Sequence, residues 1–180
     1  KKAHLPFPRT PKAARLSTLA GLPRSLLPKN MSLLSTTSAA DSKLPRSATI
    51  STTPAPFIDH TGATFTPRFT LRRRDAEFLR ELFARSREEL FVITDPLLPD
   101  NPLVYVSPSF REYTGYAADE VLGRNCRFLQ GPKTHPGDVK KIRQAIAAQR
   151  EVTLRLVNYR KDGTVFINQF FMTTLKRPGG

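Results

Sequence analysis

The feature that most constrains the fold is a pair of long strand patterns lying close together near the end of the sequence. Residues 152–160 and 164–175 are rich in Thr, Val and aromatic side chains, and Asp162-Gly163 between them is a hairpin turn signal. Side chains alternate between the faces of a strand, so Val152, Leu154, Leu156 and Asn158 share one face, as do Phe166, Asn168, Phe170 and Met172. Each otherwise apolar face carries one asparagine. Both lie on the same side of the sheet only if the pairing register has an even sum, which requires an odd loop length, such as three residues with Gly163 left-handed. Two carboxamides then project into the space between the sheet and its cover. A pair that satisfies itself answers the need for hydrogen bonds. A planar heterocycle with donors and acceptors on its edge, such as a flavin ring, answers it equally well.

The remaining pattern supplies the cover. Residues 90–94 read as a buried strand, Asp95 through Pro102 as turns, and 103–106 as a second strand, together a hairpin. Ser107-Pro108 is an N-cap followed by Pro at the first helical position, which predicts short helices through Leu122. Val139, Ile142 and Ile146 share a face of a longer helix predicted over residues 136–149. Strands at both ends with helices between them indicate an α+β domain, an antiparallel sheet covered on one face by helices. Upstream, Phe78, Leu79, Leu82 and Phe83 form an apolar stripe on a helical stretch over 70–90 that needs a partner, and Arg72-Arg73-Arg74 at its start reads as a solvated end. Residues 1–66 are crowded with Pro, Ser, Thr, Lys and Arg and show no sustained period, so they are expected to be disordered. The expected division is therefore 1–66 disordered, 67–88 a flanking amphipathic helix and 89–177 the domain.

Charge and cysteine content bound the function classes. The net charge of +14 splits evenly, with nine Lys/Arg against Asp41 and Asp59 in residues 1–60, so the excess forms no single basic patch. A basic protein that contacts anionic membrane or, less readily, nucleic acid through residues 1–74 is one reading of it. The acid-poor start also resembles an organelle transit peptide, against which a flexible linker is the plainer reading, and Met31-Ser32 leaves room for a start inside it. One cysteine cannot form an internal disulfide, and no apolar run reaches the length of a membrane span. An intracellular protein, cytoplasmic or membrane-peripheral, is expected.

That cysteine, Cys126, sits in Gly123-Arg124-Asn125-Cys126-Arg127-Phe128-Leu129-Gln130. A free cysteine is more often a small buried hydrophobe than a reactive thiol. Asn125, Arg127 and Gln130, however, place two amides and a guanidinium around it within about one helical turn, a costly set to bury with nothing polar to bind. Arg143, on the edge of the Val139 stripe, either snorkels to water or joins Arg127 in gripping a phosphate. No glycine-rich phosphate loop is present, the three histidines are scattered, and His135 is the sole local partner for a cysteine-protease reading, so no metal site or enzyme chemistry is expected.

Gly123 through Gln130 resembles the signature of the light-oxygen-voltage (LOV) domains, a photosensory branch of the PAS superfamily. Phe91-Val92-Ile93-Thr94-Asp95-Pro96, Leu98-Pro99-Asp100-Asn101-Pro102, Asn158-Tyr159 and Asn168 follow in that family's order, most like phototropin-type and fungal members, over about residues 89–175. The resemblance implies a blue-light photoreceptor module in which Cys126 bonds reversibly to carbon C4a of a photoexcited flavin, with effects passed to flanking elements. It implies that Asn125 and Gln130 touch the flavin or its side chain, that Arg127 and Arg143 hold the phosphate, and that Asn158 and Asn168 bond the pyrimidine edge. Val92, Thr94, Asn101, Leu156, Phe170 and Met172 then line the pocket, with Leu129, Val139 and Ile142 also at the cofactor. The short connection after Gln130 favours FMN over FAD. A homodimer or an effector domain acting through the flanking helix is the implied partner; a flavin module with a redox or structural role is the alternative. The family's PAS fold has five strands, the last bearing a glutamine at flavin N5. Gly180 precedes that strand, so an open sheet edge is expected, and Gln169 is no substitute because it points away from Asn168.

Overall fold

The computed structural model describes residues 54–179 and the backbone of residues 32–36. Chain order gives β1 (Ser32–Thr36), β2 (Phe57–Ile58), β3 (Thr64–Phe65), α1 (Arg73–Ala84), β4 (Phe91–Thr94), β5 (Leu103–Val106), α2 (Pro108–Thr114), α3 (Ala118–Val121), a 3-10 turn (Cys126–Leu129), α4 (Pro136–Ala147), β6 (Val152–Tyr159) and β7 (Val165–Leu175). The fold is α+β of PAS type. The β6–β7 hairpin has an even-sum register, the one that puts both asparagines on the same side, with Leu156 opposite Asn168 and Asn158 opposite Phe166, closed by a turn in which Gly163 adopts φ +83°. Ser107 caps α2 by accepting from the Phe110 N–H at 3.2 Å.

Both faces of the sheet are covered, which corrects the expectation of helices over one face. All four residues of β4 are buried. Val92 joins a core with Phe110, Val121, Leu129, Leu156 and Phe170, on the side of α2, α3 and α4. Phe91 and Ile93 join a second core with Leu79, Leu82, Phe83, Tyr105 and Leu175. The partner that the α1 stripe requires is thus the other face of the same sheet. Burying Leu79, Leu82 and Phe83 there contributes about 1.5–3 kcal/mol each before entropy is counted. The start of α1 is tied to the end of β7, since the Arg72 N–H donates to the Lys176 carbonyl and the Lys176 N–H to the Asp75 carboxylate, at 2.9 and 2.7 Å.

Two further differences concern the N-terminal part. The expectation of disorder over residues 1–66 lies largely outside the described residues, but β2 and β3 pair as a small antiparallel hairpin within it. The five-stranded sheet runs β5-β4-β1-β7-β6, so the place beside β7 where an open edge is expected is filled by Ser32–Thr36, parallel to both β4 and β7. Adjoining strand edges present unpaired N–H and C=O groups that any extended segment can bond, and a long connection leaves its direction free.

The β2–β3 hairpin is locked to the sheet by one buried carboxylate. Asp59, 5% exposed, accepts from the Thr61 N–H and hydroxyl, from the Ala63 N–H, and from the Tyr105 hydroxyl at 2.7 Å. Burial pushes this carboxyl up, but those four hydrogen bonds outweigh it and leave it below the ordinary carboxylate value. Phe57 and Phe65 pack with Phe83 around the lock. Tyr105→Phe is expected to lower stability by about 1–3 kcal/mol in urea unfolding. Because the folded carboxyl titrates below its unfolded value of roughly 3.9, its contribution is full above that pH and fades as pH falls further. The stability gap between the native chain and Asp59→Asn therefore narrows below about pH 4; a gap that stays constant on acidification contradicts this.

Candidate functional site

The site lies between the Val92 face of the sheet and α4, and its polar groups are fixed by short-range bonding. The segment entering the 3-10 turn is stitched to β5: the Leu103 N–H donates to the Arg124 carbonyl at 2.8 Å and the Gly123 N–H to the Leu103 carbonyl at 2.9 Å. Asn125 then caps the turn by accepting from the Arg127 N–H at 3.0 Å. Its amide nitrogen donates to the Asp100 carbonyl at 2.6 Å. Leu129, 4% exposed, anchors the end of the turn in the core. Beyond Gln130, a Cβ on Gly131 would collide with the Tyr159 ring, so only glycine lets the chain pass so close to β6. The Tyr159 hydroxyl accepts from the Lys133 N–H at 2.9 Å and the Thr134 hydroxyl donates to the Val157 carbonyl at 2.6 Å, holding this connection against β6 as it leads into α4.

The cavity so formed has a volume of about 100 Å³. Its wall brings together Val92, Asn101, Asn125, Cys126, Arg127, Leu129, Gln130, Val139, Ile142, Arg143, Leu156, Asn158, Asn168 and Phe170 of the candidate residues. Thr94 and Met172 are buried but stand outside the wall, Met172 in the core behind it. The pairing of β4 with β5 shifts register between Ile93 and Thr94, beside the cavity. Phe110 and Ile146 complete the wall. Ile146 was legible as part of the α4 stripe, whereas Phe110 carried no signal beyond its place after the Ser107 cap.

Asn158 and Asn168 do meet, as the self-satisfying reading allows. Asn168 donates its amide to the Asn158 carbonyl oxygen at 2.7 Å, and Asn158 donates to the Val157 carbonyl at 3.1 Å. Yet the Asn168 carbonyl oxygen is left buried without a partner, and so is that of Asn101. Each such acceptor costs about 1–3 kcal/mol if nothing bonds it. The pair therefore orients its amides without exhausting them.

Cys126 is the chain's sole cysteine, half-buried in the wall. Burial pushes its thiol up to about 11, with a backbone hydrogen bond and the Arg127 charge pulling only partway back. The sulfur is thus a protonated thiol at neutral pH. At the rim, Arg127 is ion-paired with Asp100, and Arg143 makes no salt bridge among the described residues. No group of three or more His, Cys, Asp or Glu gathers as a metal site among the described residues, and no helix among them is long and apolar enough to cross a membrane.

A flavin fits this donor set. Its ring N3–H and the hydroxyls of its ribityl chain are donors that the two orphaned acceptors lack, its apolar ring matches Val92, Leu156 and Phe170, and a phosphate matches the guanidinium groups of Arg127 and Arg143.

The comparisons with known proteins point the same way. The family model for the PAS domain matches residues 88–180, just over half of the chain. Phototropin-2 of Oryza sativa subsp. japonica is 53% identical over 93 residues, covering 52% of this chain and 10% of the phototropin. A blue-light-activated histidine kinase of Brucella canis is 47% identical over 89 residues, covering 49% of this chain and 18% of the kinase. Among solved structures, "Flavin Analogue Sheds Light on Light-Oxygen-Voltage Domain Mechanism" superposes with a TM-score of 0.55 at 47% identity, covering 61% of this chain and 79% of that one. The chain thus spans a small part of the curated relatives it matches. Modules of this kind are sensory and not catalytic. The chain belongs to the PAS domain family, as a LOV photoreceptor module homologous to phototropins and to bacterial LOV histidine-kinase sensors.

Proposed function

We propose that this module binds FMN and reports blue light through a reversible bond between the Cys126 sulfur and flavin carbon C4a. The observation that carries the reading is a lone protonated thiol in the wall of a cavity that also holds two buried amide oxygens with no partner. When bound, the flavin supplies blue-light absorption and, once excited, an electrophilic ring carbon. Cys126 would be the residue to add its sulfur to that carbon and yield its proton to the adjacent ring nitrogen, and would take the proton back on dark reversal, so that no outside oxidant or reductant would be needed. Asn168 and Asn158 hold the pyrimidine edge, Asn125 and Gln130 touch the flavin or its side chain, Arg127 and Arg143 hold the phosphate, and Asn101 lines the pocket beside them. Val92, Leu129, Val139, Ile142, Leu156 and Phe170 exclude water from the ring. FMN is favoured over FAD because the connection between Gln130 and α4 is only five residues, 131–135, with no insertion to enclose an adenine.

The signal passes to elements flanking the domain. The names of the relatives include a blue-light-activated histidine kinase, and by that likeness the partner is an effector domain or a second copy, reached through α1 on the far face of the sheet. Light can act there only if α1 has two arrangements of similar energy. Contact of the basic segments with anionic membrane is a secondary partner reading.

Visible absorption of the purified chain in the dark, after blue light and after a dark wait tests this directly. The expected result is a flavin band that bleaches and returns, and does neither in Cys126→Ala. A band that never bleaches in the native chain points instead to a passive flavin binder. The thiol itself makes a second expectation. Because its proton is held far above the ordinary thiol value of roughly 8.5, alkylation by iodoacetamide in the dark stays slow at pH 8 and accelerates only toward about pH 11. An inflection at the ordinary value would show Cys126 to be exposed.

A further inference from the structure

The rim of the cavity carries a negative charge that the flavin reading leaves unused. Arg127 is engaged in a two-pronged ion pair with Asp100, Nη1 to Oδ2 at 2.5 Å and Nη2 to Oδ1 at 2.7 Å. This is the geometry with which a guanidinium grips a phosphate, so carboxylate and phosphate draw on the same two donors. Asp100 is not a wandering surface carboxylate. Its backbone is left-handed at φ 67°, and Asn101 follows at φ 48°, two successive residues in a region that Asp and Asn tolerate better than most. The turn is pinned by the Asn101 N–H donating to the Leu98 carbonyl at 3.1 Å and by the Asn125 amide donating to the Asp100 carbonyl. Asn101 and Arg127 both line the cavity, so the fixed turn holds the Asp100 carboxylate on a guanidinium of the cavity wall.

We propose that Asp100 is a specificity-determining residue of the cofactor site, a built-in competitor for Arg127 that reduces the preference for a flavin phosphate over the phosphate-free flavin. The inference rests on the flavin reading. With Asp100 present, the two rim arginines carry a net charge of +1 toward the phosphate instead of +2, and the Arg127 fork must be shared or released before it can bind. Arg143 is the uncontested partner. Riboflavin makes the same ring and ribityl contacts and has no stake in the exchange.

The test uses the full chain and the dissociation constants of FMN and riboflavin, read by quenching of flavin fluorescence at low and high salt. Asp100→Asn keeps the shape and the tolerance for the left-handed backbone while removing the charge. The expected outcome is unchanged riboflavin affinity, which also shows the variant folded, and FMN bound roughly threefold to fivefold more tightly at low salt, as for other exposed charge pairs, with a smaller gain at high salt. The gain should vanish in an Arg127→Ala background, since the competition acts through that guanidinium. FMN bound equally or more weakly by Asp100→Asn would overturn the proposal and make Asp100 a residue that holds Arg127 in place for the phosphate. A gain that survives in Arg127→Ala would equally overturn it. Failure of the native chain to bind either flavin would overturn the flavin reading as well, whereas riboflavin binding with an unaltered FMN preference would overturn this inference alone.

Discussion

The pairing register of β6 with β7 is the constraint on which the site depends. It sets Leu156 opposite Asn168 and Asn158 opposite Phe166, and so turns both amides, Leu156 and Phe170 toward α4. A slip of one residue would send all of one strand's side chains to the other face. The hairpin turn at Gly163 and the apolar alternation of both strands enforce the same register, so local and global preferences agree. The bond between Asn168 and Asn158 follows from that geometry. It holds both amides in one orientation while leaving a buried oxygen to be bonded by something else.

The second organising fact is that one sheet serves two cores. Alternation along β4 sends Val92 to the cavity and Phe91 and Ile93 to α1, and β7 does likewise with Phe170 and Leu175. The cavity and the flanking helix are therefore separated by a single layer of strand. Packed interiors transmit small displacements because they have few voids to absorb them. Asp59 and Tyr105 add a polar bond on the α1 side, fixing the β2–β3 hairpin to the sheet across 46 positions of sequence.

Legibility in the sequence followed the range of the interactions. The hairpin register, the Ser107 cap, the α4 stripe and the grouping around Cys126 are set by neighbours within a few residues, and each was readable from spacing alone. The α1 stripe was readable but its partner was not, because nothing in a helix's period says which face of a sheet receives it. The β2–β3 hairpin was hidden in a Pro- and Thr-rich stretch whose order comes from Tyr105, far along the chain. The placing of Ser32–Thr36 beside β7 was equally invisible, since it is a backbone match between distant segments. At the site, Thr94 and Met172 are buried but lie outside the cavity wall, a matter of depth that spacing does not report. The Asp100–Arg127 pair went unread because spacing gave no reason to join residues 27 positions apart.

The central claim is that a protonated Cys126 thiol becomes bonded to flavin in the light. Light-minus-dark infrared difference spectroscopy of the flavin-loaded chain reads that thiol directly through its S–H stretch. The account predicts that this band is present in the dark, disappears on blue illumination and returns in the dark with the recovery of the flavin. An S–H band that persists under light while the flavin bleaches would mean that the photochemistry bypasses Cys126, and would contradict the account.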